Sequence, residues 1–148
     1  MSRGVEVIGA LRTRARAALL ALAGEGWTVG DANRPFTPDP AKPHAIDSPV
    51  GGVQTAAELG AAPVIEYREQ WQLLLRAPKG DGYAVLRRAA DAVAMAVRGD
   101  RTTPPTLEDG VTPITILDVS VRPLRESPDR AWAEMPIVVL YQILASPS

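Results

Sequence analysis

The sequence predicts an α+β domain in which a mostly antiparallel sheet is covered on one face by two helices. Two stretches of the chain repeat apolar residues at helical spacing, and the stretch between them alternates with a period of two. Two further apolar runs follow towards the C-terminus. Because one side of the alternating stretch is polar, antiparallel pairing is favoured over a parallel sheet that is covered on both faces. The expected order is α-(β)-β-α-β-β, with a short first strand.

The first predicted helix covers residues 5–23 and ends at Gly24. Its apolar residues recur about every three to four positions, whereas Arg12 and Arg16 lie one turn apart on another face. We expect these two arginines to be solvated or to face acidic groups of a partner.

Proline and glycine are frequent between residues 24 and 63, where the only strand signal is a short one at residues 44–47. We therefore predict a long irregular segment at 24–63, including GGVQTAAELGAA at residues 51–62, and a second one at 99–113. Segments of that length without secondary structure are either disordered or used for binding.

The long predicted strand covers residues 64–76 and has one apolar and one polar face. The apolar face carries Ile65, Tyr67, Trp71, Leu73 and Leu75, and the polar face carries Glu66, Arg68, Gln70, Gln72 and Arg76.

Two more strands are predicted at residues 114–121 and 132–145. The first should point Leu117, Val119 and Val121 inward. The second has Met135, Ile137, Val139, Tyr141 and Ile143 on one face and Val138 and Leu140 on the other. Since the middle of this last strand is apolar on both faces, it belongs in the interior of the sheet.

The glycine-rich turn RAPKGDGY, at residues 76–83, leads from the long strand into a second helix at 83–98 that ends at Gly99. It does not match a phosphate-binding loop, because Lys79 precedes the glycines and no serine or threonine follows them. A dinucleotide-binding fingerprint would need glycine where Val85 stands. We predict instead that Gly80 and Gly82 form a tight reversal and that Asp81 caps the helix.

The composition indicates one domain over residues 1–148 and excludes several kinds of chemistry. The chain has 16 basic and 17 acidic residues, no cysteine and one histidine, His44. The absence of cysteine excludes disulfides and thiolate chemistry, and the balanced charge gives no reason to expect a specific nucleic acid or a membrane as partner. His44 lies in a proline-flanked stretch without a nucleophile motif, so we expect no enzyme activity, cofactor or metal.

Two alternatives remain open. A magnesium-dependent nuclease could use Glu66 as a metal ligand and Arg68 to steady a phosphate. A small ligand-binding α+β domain is the other.

Three segments together resemble the tail terminator-like minor tail proteins of long-tailed bacteriophages. They are the turn NRPFTP at residues 33–38, the strand, glycine turn and helix from residue 70 onward, and the final strand WAEMPIVVLY at 132–141. The likeness covers nearly the whole chain.

The resemblance implies a homohexameric ring that caps the tail tube, ends tail polymerisation and offers a surface for head-tail joining. The implied partners are other copies of this chain, the tail tube protein and the head-side connector. The implied location is the tail of the virion, after synthesis in the cytoplasm of the bacterial host.

We predict that polar residues on the long strand and the first helix form the polar rim of the contact between neighbouring subunits. They would pair with acidic residues of the neighbour, such as Glu58, Glu108, Asp109 or Asp129. The candidates are Arg12, Arg16, Arg68, Gln70, Gln72 and Arg76. Simple solvent exposure is the alternative for each. Trp71, Trp132 and Phe36 are expected to be core or loop anchors.

Overall fold

The structure, a computed structural model, describes residues 3–22, 26–31, 36–59, 62–80, 82–99, 104–107, 110 and 112–145. Its elements are α1 (Arg3–Leu20), β1 (Thr28–Asp31), β2 (His44–Leu59), β3 (Ala62–Pro78), α2 (Gly82–Arg98), β4 (Thr115–Val121), β5 (Arg125–Glu126) and β6 (Trp132–Ala145). The strands form one sheet in the order β1-β2-β3-β6-β4, with β5 paired to β6, and only β1 and β2 run parallel. The predicted α+β class is confirmed.

Both helices pack against the same face of the sheet, which we call the core face. α1 buries the stripe Val7, Leu11, Ala15 and Leu19, and α2 buries Leu86, Ala89, Ala90, Val93 and Val97. These side chains meet Trp71, Leu73 and Leu75 of β3 and the alternate residues Met135 to Ile143 of β6 in one cluster. Neither helix is long and apolar enough, over the residues described, to cross a membrane.

The interior position predicted for the last strand is confirmed, since β6 lies between β3 and β4. Its alternation is also as predicted: Ile137 and Val139 are fully buried on the core face, whereas Val138 and Leu140 are partly exposed on the other.

The predicted irregular segment at 24–63 is wrong in two places. Residues 28–31 form β1, and β2 continues from His44 to Leu59 as one arm of a long hairpin with β3. The register runs to the pair Leu59↔Ala62 and shifts once, between Val50 and Val53, where two glycines stand. Small residues and glycine give this stretch little strand signal of its own, so the pairing is imposed by the strongly alternating β3.

The predicted orientation of Leu117 is also wrong, because its side chain is 41% exposed. The register between β4 and β6 shifts between Ile116 and Asp118, so Leu117 is the extra residue of a β-bulge. Ile116, Val119 and Val121 pack against the core, as the pattern predicts for the last two. One inserted residue reverses the alternation, and the sequence does not mark its position.

The turn between β3 and α2 contains Gly80 with φ of 107°, and α2 begins at Gly82. This agrees with the predicted reversal, while the predicted cap, Asp81, lies outside the described residues. Further on, the segment 99–113 is not wholly irregular, since Leu107 is buried and its amide donates to the Thr112 carbonyl at 2.9 Å.

Two glycines should respond in opposite directions to alanine. Gly99 follows α2 with φ of 64° and donates its amide to the Met95 carbonyl at 3.0 Å, so Gly99→Ala forces an alanine into the left-handed region. We expect a loss of about 1–2 kcal/mol in the free energy of unfolding. Gly9 lies inside α1 with open space at its Cβ, so Gly9→Ala should add about 0.5–1 kcal/mol. Urea denaturation of both variants measures the difference, and equal effects would contradict the assignment of Gly99 as the helix stop.

Candidate interaction site on the helix-free face

The sheet face opposite the helices, which we call the helix-free face, mixes amide and apolar side chains. Gln70 and Gln72 of β3 lie beside Leu140 and Val138 of β6 in the strand register, and all four are partly exposed. Gln142 continues the row along β6 and is also partly exposed. Such a surface can pack against another protein and form hydrogen bonds.

At one end of this face, a row of charged residues crosses the sheet. The row consists of Arg76, Glu134 and Arg125, since the register aligns Arg76 with Glu134 and Glu134 with Arg125. On β2, His44 lies beside Arg76. Glu134 is only 1% exposed, yet it accepts a hydrogen bond from Arg76 Nε at 2.9 Å and one from Arg125 Nε at 2.6 Å. Because both arginines donate to this buried carboxylate, the row is an ion-pair network that spans three strands.

His44 begins β2 in an apolar site and is 0% exposed. The Trp132 ring meets it edge-on at a centroid distance of 4.6 Å, and the Phe36 ring lies at 5.7 Å. Neither ring nitrogen has a hydrogen-bond partner among the residues that the structure describes. Burial, with a smaller contribution from the positive charge of Arg76, lowers the pKa of His44 to about 4. The ring is therefore neutral at pH 7 and packs as a core side chain.

The structure places the six predicted contact residues in different surroundings. On α1, Arg12 donates from Nη2 and Nε to Asp47 Oδ2 at 2.5 and 2.8 Å, while Arg16 is exposed. Asp47 is 1% exposed and also accepts from the Trp71 indole at 3.3 Å, so the acidic group that faces Arg12 belongs to its own chain. Sequence reasoning missed Asp47, because its partners lie 24 and 35 residues away along the chain.

The other four lie on β3. Arg76 joins the charged row, and Gln70 and Gln72 occupy the open part of the helix-free face. The backbone of Arg68 pairs with Val53 and Gln142, but its side chain lies outside the described residues.

A pocket of about 340 Å³, which sequence reasoning did not predict, opens beside the charged row. It is lined by Lys79, Leu124, Arg125, Glu126, Trp132 and Ala133. Lys79 forms an ion pair with Glu126. The lining comes from the turn after β3, from β5 and from the start of β6, so no single sequence segment carries its signature.

The side chains that the structure describes form no metal site. Among them, which excludes the side chains of residues 3–6, 31, 48–68 and 144–145, no three histidine or acidic groups could hold a metal ion together. The side chains of Glu66 and Arg68 lie outside the described residues. Tyr141 donates its hydroxyl to Glu69 at 2.8 Å, and burial, followed by this hydrogen bond, raises the pKa of the phenol.

Comparison with known proteins gives a likeness in fold. No protein-family model matches the sequence, and no curated protein matches it. The chain is similar to a chain in a solved structure described as the virion of a native gene transfer agent (GTA) particle. The TM-score is 0.58 at 16% sequence identity, and the match covers 96% of this chain and 97% of the other. The two chains share a fold over nearly their whole lengths.

Proposed function

We propose that this protein is a structural virion protein of the tail terminator type, which forms a ring on the tail tube of a phage-like particle. The observation that carries the proposal is the likeness in fold to a chain of a gene transfer agent virion over 96% of this chain. A virion protein is also what three sequence segments suggest, since they resemble the tail terminator-like minor tail proteins.

The surfaces of the sheet support assembly into a ring. A closed ring built head to tail needs two different complementary surfaces on each subunit. Within the described residues, the sheet ends at β4 on one side and at β1 on the other, and no described strand pairs with the outer side of β2 beyond Asp47. Between these edges, the helix-free face offers partly exposed amide and apolar side chains. We propose that Gln70 and Gln72, with Arg16 and Arg68, contribute to the contact between subunits or with the tube.

Solution mass tests the ring directly. A hexamer would have a mass of about 95 kDa, which is six times the chain mass of 15.8 kDa. Light scattering should give this mass and negative-stain images should show closed rings, both unchanged by EDTA. A monomer at millimolar concentration, or magnesium-dependent cleavage of DNA that is lost in Glu66→Ala, would overturn the proposal.

A paired substitution tests the contact surface. Gln70→Glu with Gln72→Glu places two carboxylates in the proposed contact, where burial without partners costs several kcal/mol. We expect the ring to dissociate at a protein concentration at least tenfold higher than for the unsubstituted chain, with thermal stability of the subunit nearly unchanged. Ala84→Glu, at an exposed position of α2 on the opposite side of the sheet, is the matched control. Equal assembly of the variant and the control would place the contact elsewhere.

A further inference from the structure

We propose that the pocket beside β5 binds a peptide segment of a partner protein that presents an apolar side chain next to a carboxylate. The inference rests on the geometry of the pocket and does not require the chain to form a ring. The site is lined by residues from three separate segments and measures about 340 Å³, which suits one or two side chains.

The floor of the pocket is apolar and would contact the apolar side chain of the ligand. Trp132 is 7% exposed and Leu124 is 40% exposed, and both line the pocket together with Ala133. An aromatic ring flanked by aliphatic carbon is the usual environment for a buried apolar anchor at a protein contact. A partner side chain of leucine size would cover the apolar surface that Leu124 leaves in water.

Arg125 is the residue that would bind the carboxylate of the ligand. Its Nε donates to Glu134 Oε1 at 2.6 Å, and Glu134 is itself buried and held by Arg76 on the other side. The terminal amino groups of Arg125 form no hydrogen bond to any residue that the structure describes, although the side chain is 56% exposed and lines the pocket. A fixed guanidinium with both terminal amino groups available matches the two oxygens of a carboxylate.

The local charge favours an anion over a cation. The network around the pocket contains the cations Lys79, Arg76 and Arg125 and the anions Glu126 and Glu134. The balance of these ion pairs is one positive charge, and it is unchanged by the adjoining turn, where Asp129 and Arg130 carry opposite charges. The cations that line the pocket are about half exposed, at 48% for Lys79 and 56% for Arg125. An incoming carboxylate would neutralise this charge, whereas a lysine or arginine side chain would add to it.

A tight turn fixes the wall of the pocket before any ligand arrives. The Ser127 hydroxyl donates to Asp129 Oδ1 at 2.6 Å and accepts from the Trp132 amide at 3.1 Å, and the Ser127 amide donates to the Trp132 carbonyl at 2.9 Å. The hydrogen bond from the Ser127 hydroxyl, with a further one from the Ala131 amide, lowers the pKa of Asp129, so this carboxylate stays charged and accepts both bonds. Trp132 is thus held in place, and little conformational freedom is lost when a ligand binds.

The test uses two isosteric probes, acetyl-Leu-Asp-amide and acetyl-Leu-Asn-amide, with the ¹H-¹⁵N NMR signals of the Trp132 indole and the Ala133 amide as readout. The aspartate peptide should bind at least tenfold more tightly than the asparagine peptide. Arg125→Gln should abolish that preference, and Leu124→Ala should weaken both peptides severalfold. Arg122→Gln is the matched control, because Arg122 is an exposed arginine of the same segment that does not line the pocket.

Four outcomes would overturn the inference. The first three are equal affinities for the two peptides, an effect of Arg125→Gln no larger than that of Arg122→Gln, and no shift of either signal at 20 mM peptide. Inorganic phosphate that binds as tightly as the aspartate peptide would also overturn it, since it would indicate a general anion site. The readout is independent of oligomeric state, so failure of the ring and failure of the pocket are distinguishable.

Discussion

Glu134→Leu is expected to destabilise the protein by about 3 kcal/mol, because it leaves Arg76 in a mostly buried site without its anion. The carboxylate is 1% exposed and the Arg76 side chain is 23% exposed, so water can solvate the orphaned guanidinium only in part. Urea denaturation should show a lower midpoint with an unchanged slope. Because the row links β3, β6 and β5, the loss should extend to the pocket, where Arg125 would no longer be held.

Two controls separate the loss of the anion from the loss of packing. In the double variant Arg76→Leu with Glu134→Leu, both charges are replaced by apolar side chains, and stability should recover most of the loss. Glu126→Gln breaks a pair with Lys79 in which both side chains are 48% exposed, and it should cost less than about 1 kcal/mol. If the double variant is as unstable as Glu134→Leu, the ion-pair network is not the cause.

Stability is expected to fall by about 3 kcal/mol as the pH drops from about 6.5 to about 4, because His44 is neutral in the folded protein down to a pKa of about 4. In the unfolded chain, a histidine takes up its proton near pH 6.5. The unfolded state therefore binds more protons throughout this window, and the free energy of unfolding decreases as the pH falls. Above the upper limit, the ring is neutral in both states and contributes no pH dependence.

The measurement is the free energy of unfolding as a function of pH, for the protein and for His44→Leu. Leucine has a similar volume and cannot be protonated, so the variant should lose most of the dependence between pH 6.5 and 4. The carboxylates are the same in both proteins and cancel in the difference. A variant that keeps the full slope would show that His44 is not the group that takes up the proton.

The local periodicity of the sequence was sufficient to predict most of the fold. Residues 132–145 alternate so regularly that the bounds of β6, its two faces and its interior position were all predicted, and α2 differs from its predicted bounds by one residue. Of β2, the first arm of the hairpin, only residues 44–47 were predicted as a strand, because the rest of its pattern is weak and its pairing is imposed by β3.

The candidate site was predicted far less well than the fold. Gln70 and Gln72 do lie on the polar face that alternation assigns to them. By contrast, Asp47 was assigned no role before the structure, although Arg12 and Trp71 both contact it. Glu134 was assigned no role either, yet it accepts hydrogen bonds from two arginines. Contacts between side chains on different strands depend on register, and a shift of one residue would have moved each of them to the other face.

By itself, the amino-acid sequence determined the α+β class, the absence of cysteine chemistry and the two faces of β6, since each follows from composition or from periods of 2 and 3.6 residues. Only the tertiary structure decided that His44 is a buried neutral ring, that Leu117 occupies a bulge, and that a pocket with an available guanidinium lies beside β5. The physical reason is that burial and pairing are set by residues distant in the chain, which local patterns do not encode.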